Sequence, residues 1–508
     1  MTLILLVIVV SAAVVLLWAA VLRRKASSSP PGPLALPLIG HLHLLGPRLH
    51  HSFDELSKRY GPLMHIRLGS MPCAVVSSPQ LAEEFLKTND AVFSTRKGST
   101  VVDMVTYRAS FAFGSCTPYW KFIKKLCTYE LLGSRNINHF RPIRTLEVRN
   151  FLQILMRKGT SGESFDVSEE LLKMTNNVIS NMMLSIGCTE TETEAEGVRR
   201  VVREVTQIFG ELDVADVIRF CNNFDFTGIR KRSRDIHSRY DAFLEKIITQ
   251  REHRRRSPTQ PAGEPADLLD MLLDIMESGK AEVKITRDHL KSLILDFFTA
   301  GTDTTATTSE WALSEMISNP RVLKKAQDEI DKVVGRERLL EESDAPNLPY
   351  LYALIKETFR LHPPIPLITR FSISDCVIDG YHIPADTMLF VNSWSIGRNP
   401  NYWDTPLQFR PERFLDGGPS ASIDFKGKHY ELLPFGTGRR GCPGMLLAIQ
   451  ELILIIGTMI QCFQWELPHG PDSPPLDMTE RQGLAAPRAH PLVCRVVPRV
   501  EPALLFSG

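Results

Sequence analysis

The residues best suited to chemistry in this sequence form one short segment, Phe435–Gly444, with the skeleton F-x-x-G-x-R-x-C-x-G. Its glycines allow backbone turns around Cys442 that a Cβ atom would block. Pro443 precedes an apolar run, Met445–Phe463, and proline suits a first helical turn because its missing N–H is unpaired there. Cys442 is therefore predicted at a helix N-terminus, where the helix dipole and Arg440 favour a thiolate. A thiolate held by a rigid loop is a soft ligand for a transition metal.

A second candidate site lies in a long helical pattern from Leu290 to Ile317, which carries Ala300-Gly301-Thr302-Asp303-Thr304-Thr305 in its middle. Glycine inside a helix costs about 1 kcal/mol relative to alanine, and threonine hydroxyls compete for the carbonyl four residues earlier. We therefore expect a local widening of the helix that admits water or a ligand. The Thr304 hydroxyl and the Asp303 carboxylate are groups suited to proton transfer. The alternative is a polar patch that the helix merely tolerates.

Charged residues at helical spacing give a third signal. Glu357 and Arg360 form E-x-x-R, and residues three apart share one helix face, so the two can pair. Alone this pattern is weak. Trp120 and Lys124 show the same kind of spacing in a basic helical segment, where Lys124 is either a carboxylate ligand or part of a solvated face.

Together these segments resemble the four signatures of the cytochrome P-450 monooxygenases, in the same order and spacing and over essentially the whole chain. The resemblance implies a haem b cofactor whose iron takes Cys442 as its axial ligand. Thiolate ligation is the feature by which this enzyme class favours O–O cleavage. It also implies a fold that is mainly α with small β-sheets, a cytochrome P-450 fold.

The same resemblance assigns the other site residues. Thr304 and Asp303 would be catalytic, delivering protons during oxygen activation. Arg413, within Phe409–Phe414, would complete a structural network with Glu357 and Arg360 that fixes the loop of Cys442. The further haem-binding residues would be Trp120, Lys124, Arg370, Arg440 and Phe435. A cationic face for an acidic redox partner would use Lys121, Lys125, Lys426, Lys428 and Arg439.

The N-terminus predicts a membrane anchor. Residues 1–22 are almost entirely apolar and would reach roughly 30 Å as a helix, enough to cross a bilayer. Residues 23–40 form a basic and proline-rich hinge, and 41–508 form the monooxygenase domain. Positive charge at Arg23-Arg24-Lys25 stays cytoplasmic, so the N-terminus should face the lumen and the catalytic domain the cytosol. The resemblance to the P-450 family implies that the membrane is the endoplasmic reticulum. A cleaved signal peptide is the alternative, but the basic region that precedes its apolar core is absent.

Composition bounds the remaining possibilities. The 508 residues carry a formal net charge of +1, which gives no case for a nucleic-acid partner. Nine cysteines without C-x-x-C indicate a reducing compartment. Alternating residues predict two short strands within Gly61–Ser78, and further short strands follow near Phe371–Ile373 and Met388–Val391. The cluster His41, His43, His50 and His51 is interpreted as ordinary surface histidines rather than a metal site.

Longer stretches resemble one plant family. Residues 93–113, 119–126 and 427–444 are similar to flavone synthases of type II and flavanone 2-hydroxylases, with isoflavone synthases as more distant relatives. This implies O2-dependent oxidation of a flavanone at C2, giving a flavone or a 2-hydroxyflavanone, with electrons from NADPH–cytochrome P-450 reductase. Substrate contacts would come from the segment before Trp120 and from Phe297–Thr304, Pro364–Thr369 and Gly483–Ala486. The chain departs from this family at Gly114-Ser115-Cys116-Thr117, where relatives carry a form like A-P-Y-G.

Four other functions are alternatives to flavanone oxidation. Isoflavone synthase or another plant phenolic or terpenoid hydroxylase would use the same machinery. A haem-thiolate isomerase or dehydratase would not need the pair Thr304 and Asp303. A haem-based sensor or carrier and a membrane scaffold without haem are the non-enzymatic alternatives.

Overall fold

The computed structural model describes residues 29–185, 192–211, 214–218, 225, 227–256, 267–279, 281–468, 470 and 474–506. The predicted anchor, 1–22, and the basic start of the hinge, 23–28, lie outside this part of the chain. The proline-rich end of the hinge is described, and it closes in a tight turn in which Leu36 pairs with Gly40.

Helices make up most of the described chain, as the sequence predicts. Serine or threonine side chains cap several of them, and proline starts others, both by the rules for helix N-termini. The helices are α1 Leu49–Tyr60, α2 Pro79–Glu83, α3 Thr100–Val105, α4 Pro118–Lys125, α5 Ser134–His139, α6 Arg141–Ser161, α7 Val167–Leu184, α8 Glu192–Phe209, α9 Val214–Val217, α10 Ile229–Arg256, α11 Leu268–Ser278, α12 Arg287–Ser318, α13 Pro320–Val333, α14 Pro349–Leu361, α15 Ser393–Ile396, α16 Met445–Cys462 and α17 Ala503–Phe506. One π-helical turn follows α2 and another follows α4, and 3₁₀ turns occupy Leu42–Leu44, Glu342–Asn347, Pro411–Phe414 and Gly438–Arg440.

The strands form small sheets. They are β1 Leu63–Leu68, β2 Met71–Val76, β3 Phe165–Asp166, β4 Leu367–Phe371, β5 Cys376–Ile378, β6 Tyr381–Ile383, β7 Met388–Asn392, β8 Phe463–Glu466 and β9 Val493–Pro498. The largest sheet has the order β1-β2-β7-β4, with β2 and β7 parallel and the other pairs antiparallel. Strands β3, β9 and β8 form a second sheet, and β5 and β6 form a hairpin. The predicted hairpin within residues 61–78 is therefore confirmed, with its turn at Gly69-Ser70.

Helix α12 runs through the core and packs closely on α7. A Cβ atom built on Gly301 would lie 2.5 Å from Cδ1 of Ile179, so glycine at this position allows the close approach of the two helices. The helix stays continuous from Arg287 to Ser318. The local widening expected from the sequence is therefore wrong, because close packing offsets the low helix propensity of Gly301.

Helix α16, which follows the Cys442 segment, is long and apolar enough to cross a bilayer by length and composition. It is the one such helix among the described residues, and 72% of it is buried inside the protein. Its side chains contact the core cluster that also includes α7 and α12. Helix α16 is therefore a core helix, and it ties the Cys442 segment to the most rigid part of the fold.

Two smaller expectations concern cysteine and histidine. All seven described cysteines are free, which agrees with the absence of disulfide spacing. The interpretation of the histidine cluster as surface residues is wrong for His41 and His50, which are 1% and 6% exposed. Their imidazoles are buried because each finds a hydrogen-bond partner, His41 on the Pro33 carbonyl and His50 on the Glu480 carboxylate.

Candidate functional site

The Cys442 segment is a tight loop that is fixed at both ends. The Cys442 N–H donates to the Phe435 carbonyl at 2.9 Å. Gly436 and Gly438 have φ of 64° and 65°, the left-handed region that favours glycine. Helix α16 begins at Met445, three residues after the cysteine. The phenyl ring of Phe435 packs edge-on against two other aromatic rings, those of Phe359 and Phe425.

Cys442 is an exposed residue, and the protein around its thiol partly desolvates it. This desolvation raises the pKa of the thiol, while the Gly444 N–H, Lys124 and Arg96 oppose the rise. Arg440, which the sequence predicted as the cation favouring a thiolate, turns away from the sulfur toward backbone carbonyls. A cation bound to the sulfur would remove the cost of burying a thiolate.

Four cations lie together beside this loop: Arg96, Lys124, Arg370 and Arg440. Arg440 Nε donates to the Ser94 carbonyl at 2.9 Å, and its Nη2 donates to the Gly114 carbonyl at 2.7 Å. Lys124 Nζ donates to the Gly441 carbonyl, which connects α4 to the cysteine loop. Arg370 is 2% exposed and Arg440 is 6% exposed, so these charges are held away from water.

Trp120 supports this group of cations. Its ring lies 4.0 Å from the Arg440 guanidinium carbon, a cation–π contact. The indole also stacks on Phe111 and donates from Nε1 to the Phe111 carbonyl at 2.9 Å. Thus the structure brings Trp120, Lys124, Arg370 and Arg440 together, as the sequence predicted for a single binding site.

Among the described residues, Asp90 acts electrostatically on Arg370 but does not pair with it. Burial lowers the pKa of Arg96 to about 10, and burial together with Arg96 lowers the pKa of Arg440 to about 10. None of the four forms an ion pair with a carboxylate among the described residues. Nη1 of Arg440 is buried without a hydrogen-bond partner. Because buried charges are normally paired, this arrangement fits an anionic ligand that carries carboxylates.

Arg96 was missed by the sequence reasoning. It lies in a loop between α2 and α3, 274 positions before Arg370, and shows no helical or motif spacing with the other cations. Its Nη1 donates to the Ala112 carbonyl at 2.6 Å and its Nε to the Thr369 carbonyl at 3.3 Å. A basic residue next to Phe93-Ser94-Thr95 was present in the stretch used for the family resemblance, which is the signal that could have found it.

A buried charge network holds the segment upstream of the cysteine. Glu357, Arg360 and Arg413 are all 0% exposed. Arg360 forms two hydrogen bonds with the Glu357 carboxylate, both 2.7 Å, and Arg413 Nε lies 3.0 Å from Glu357 Oε1. Arg360 also donates to the carbonyls of Gly397, Pro406 and Gln408, so its guanidinium fixes the connection between α15 and the 3₁₀ turn at Pro411–Phe414.

Helix α12 presents the predicted proton-transfer pair. The Thr304 hydroxyl donates to the Ala300 carbonyl at 2.6 Å, the competition expected from the sequence. Asp303 bonds to the Thr206 hydroxyl on α8. Burial raises the pKa of Asp303, although Thr206, Arg481 and Arg203 act to lower it.

The segments predicted to contact a substrate converge near α12. The Trp311 indole donates to the Ala486 carbonyl at 2.9 Å, and the Ala486 N–H donates to the Pro364 carbonyl at 3.0 Å. Phe113, in the segment before Trp120, packs edge-on against Phe209 at the end of α8. The sequence predicts that these four regions line one substrate chamber, and the contacts above join Gly483–Ala486 to α12 and to Pro364.

The unusual segment Gly114-Ser115-Cys116-Thr117 contacts the cation group and leads into α4. Gly114 offers its carbonyl to Arg440, and the Cys116 N–H donates to the Thr95 hydroxyl at 3.1 Å. Thr117 caps α4 by accepting from the Trp120 N–H at 3.2 Å. The departure from the family pattern therefore keeps the backbone contacts that position Arg440 and Trp120.

Comparisons with known proteins agree with this geometry. The family model described as cytochrome P450 matches residues 30–495. The chain is 58% identical over 466 residues to cytochrome P450 93B2 of Gerbera hybrida, covering 92% of this chain and 91% of that protein. It is 44% identical to a 2-hydroxyisoflavanone synthase of Glycyrrhiza uralensis, covering 92% of each. A solved structure of a zebra fish cytochrome P450 with progesterone has a TM-score of 0.75 and 29% identity, covering 89% of this chain and 99% of that chain. The mainly helical fold, the cysteine loop and these similarities together place the chain in the cytochrome P450 family.

Proposed function

We propose that this P450 monooxygenase is a haem-thiolate enzyme that oxidises a flavanone at C2, giving a flavone or a 2-hydroxyflavanone. One observation carries the haem assignment: the exposed residue Cys442 lies beside four cations, two of them buried, that form no ion pair with a carboxylate among the described residues. The high identity to cytochrome P450 93B2 supports a substrate of the kind that the flavanone-oxidising plant enzymes use.

The residues present fit haem b. Cys442 would bind the iron, and Arg96, Lys124, Arg370 and Arg440 would hold the two propionates, with Trp120 under Arg440 and Phe435 in the loop. When bound, haem supplies the activation of O2 and the oxidation of a carbon–hydrogen bond. The Gly444 N–H directed at Cys442 would stabilise the sulfur as a thiolate. The network of Glu357, Arg360 and Arg413 would hold the Cys442 loop in the position that binds the iron.

Protons for oxygen reduction would move through Asp303 and Thr304. A buried carboxyl whose pKa is raised keeps its proton to a higher pH than in water and can release it to a neighbouring hydroxyl. The Thr304 hydroxyl, bonded at rest to the Ala300 carbonyl, would turn to accept and pass this proton. Arg481 and Arg203 supply positive charge near Asp303 and so keep its pKa from rising further.

The chamber suits a planar polyphenol. Apolar and aromatic walls with few polar groups bind a flat aromatic ligand mainly by burial of its surface. The rings of Phe113 and Phe209 pack edge-on against each other, and both would line this chamber. Such walls would orient C2 of a flavanone toward the cofactor and exclude water.

Residues 1–22 would anchor the protein in the endoplasmic reticulum membrane, with 23–40 as the hinge and 41–508 as the cytosolic domain. NADPH–cytochrome P-450 reductase would supply the electrons. Lys121, Lys426 and Lys428 are exposed, whereas Lys125 pairs with Glu282 and Arg439 pairs with Asp90, so these positions can offer a cationic surface to an acidic partner.

The test uses the full chain in microsomes with reductase and NADPH, and naringenin as the substrate. We expect loss of two hydrogens or gain of one oxygen, seen by mass spectrometry, and no product from Cys442→Ser. A product with a migrated aryl ring would instead indicate isoflavone synthase-type chemistry. An unchanged naringenin pool in the parent would remove the flavanone assignment, while a thiolate-type reduced-carbonyl spectrum would still support the haem assignment.

A further inference from the structure

Glu480 is held from three sides although it lies near the C-terminus. Its Oε2 accepts hydrogen bonds from Nε2 of His50 at 2.6 Å and of His51 at 2.9 Å, and its Oε1 accepts from Trp394 Nε1 at 2.9 Å. His50 and His51 are in the first turn of α1, 430 and 429 positions away in sequence. We call Glu480 with these three partners the Glu480 clamp.

The clamp is a set of hydrogen bonds that converge on one buried carboxylate. Two histidines and a carboxylate are also a composition found in zinc sites, but direct contacts of 2.6 and 2.9 Å already satisfy all three side chains. Burial acts to raise the pKa of Glu480, yet the hydrogen bonds from His50 and His51 outweigh it and hold this pKa far below its usual range. Glu480 is therefore an anion at every physiological pH, and it keeps both imidazole donors oriented.

The partners of Glu480 are themselves fixed. The carbonyl of His50 accepts from Asn392 Nδ2 at 2.8 Å, which joins α1 to the end of β7. The Arg398 guanidinium carbon lies 3.9 Å from the centroid of the Trp394 ring. Because these groups are anchored in the large sheet region, the clamp binds residue 480 to a rigid frame.

Glu480 starts a hairpin that reaches the chamber. Glu480 pairs with Arg488, the Arg481 N–H donates to the Pro487 carbonyl at 2.8 Å, and the Ala489 N–H donates to the Thr479 carbonyl at 2.8 Å. The tip of this hairpin, Gly483–Ala486, contacts Trp311 and Pro364 through Ala486. The backbone hydrogen bonds at the base of the hairpin therefore help to set the position of its tip.

The tip also packs tightly against α8. A Cβ atom on Gly210 would lie 2.6 Å from the Leu484 N atom, so the end of α8 and the hairpin tip meet with no room for a side chain. Next to Glu480, Arg481 contributes positive charge that lowers the pKa of Asp303. A displacement of the hairpin base would thus move both a wall of the chamber and a charge that acts on Asp303.

We propose that Glu480 is a positioning residue for the substrate chamber: clamped by His50, His51 and Trp394, it sets the place of the hairpin tip and of Arg481. The proposal deepens the proposed function, on which it rests for the identity of the ligand. It also links the first helix after the hinge to the chamber, since α1 supplies both histidines.

The experiment compares the haem-loaded full chain with Glu480→Gln, Glu480→Asp and His50→Ala/His51→Ala variants. Hydrogen–deuterium exchange of residues 479–489 reports the hairpin without any substrate. We expect faster exchange at the tip in Glu480→Gln and in the double histidine variant, with partial rescue by Glu480→Asp, whose shorter carboxylate retains the charge. For naringenin we expect KM to rise roughly tenfold, with a smaller change in kcat.

His490→Ala is the matched control, because His490 forms an exposed ion pair with Asp477 beside the same hairpin but does not reach α1. It should behave like the parent. The proposal is overturned if tip exchange and KM in Glu480→Gln equal those of the parent, or if His490→Ala gives the same changes. It is also overturned if Glu480→Gln lowers only Tm and leaves KM and exchange at the tip unaltered. If the parent itself does not turn over naringenin, the proposed substrate fails, and the exchange result still decides the role of Glu480.

Discussion

Arg413 Nε lies 3.0 Å from Glu357 Oε1, although 56 positions separate the two residues and both side chains are fully buried. A second arginine, Arg360, shares the same carboxylate. One negative charge is therefore shared by two guanidinium groups. Their other N–H groups donate to backbone carbonyls, such as those of Gln408 and Asp404. Removing the carboxylate would leave two buried cations facing each other.

The first prediction concerns this network. We expect Glu357→Gln and Arg413→Lys to cost about 3–5 kcal/mol each, because breaking a buried pair leaves an uncompensated charge. Lysine does not replace arginine here, since it lacks the planar fork. The yield of haem-containing protein and its Tm measure the effect. Arg410→Lys is the control, because that side chain forms an exposed pair with Asp404 in the same segment. Normal haem content in Arg413→Lys would contradict the prediction.

The second prediction concerns the unpaired cations. Arg440→Gln and Arg96→Gln remove charge that we expect the propionates to neutralise, so haem should dissociate faster from both variants. Haem content after gel filtration and the rate of haem transfer to an apo-globin acceptor measure this. Arg439→Gln, next in sequence but paired with Asp90 at the surface, should retain haem like the parent. Equal haem retention in all three variants would show that Arg96 and Arg440 only form hydrogen bonds with backbone carbonyls and do not bind haem.

The third prediction concerns Thr304. We expect Thr304→Ala to lower product formation about 100-fold, in the range of general acid–base effects, while NADPH consumption continues and peroxide accumulates. Thr299→Ala is a close control, because the Thr299 hydroxyl makes the same type of bond, to the Leu295 carbonyl at 2.9 Å, one turn earlier on α12. Full coupling of NADPH to product in Thr304→Ala would argue against a proton-transfer role.

The fourth prediction is a pH dependence. Burial raises the pKa of Asp303, so its carboxyl is protonated at higher pH than in water. If Asp303 delivers a proton, kcat should fall as pH rises through this raised pKa. Asp303→Asn should have a low kcat without that falling limb. If kcat of Asp303→Asn falls over the same pH range as kcat of the parent, the titrating group is a different residue.

The fifth prediction concerns Asp296, a buried carboxyl that accepts from the Ser110 hydroxyl at 2.8 Å and from the Phe111 N–H at 2.6 Å. Burial raises its pKa to about 7. Because the folded pKa is above the unfolded value, its contribution to stability is fully present below about pH 4 and is lost as pH rises through about 7. Tm of the parent should therefore fall between about pH 4 and 7 relative to Asp296→Asn and level off above about pH 7. If Tm of the parent and of Asp296→Asn changed with pH in the same way, the raised pKa of Asp296 would be contradicted.

Local patterns predicted much of the fold. The strands within residues 61–78, the helix begun at Pro79 and the helix after Cys442 follow from alternation, capping and glycine or proline placement, which act over a few residues. The expected widening of α12 failed because helix propensity is weak compared with packing, and Gly301 meets Ile179 at the core. The proposed anchor, 1–22, lies outside the described residues, and its function is an inference from apolar length alone.

The sequence by itself determined the chemistry of the cysteine loop and the membership of the family, because glycine, proline and thiol constrain the backbone and the ligand type locally. Only the tertiary structure decided that Arg96 joins Arg370 and Arg440, and that Glu480 meets His50 and His51. These contacts join residues hundreds of positions apart. Hydrogen bonds and ion pairs at such separations depend on where the folded core places each backbone, and no local spacing encodes that.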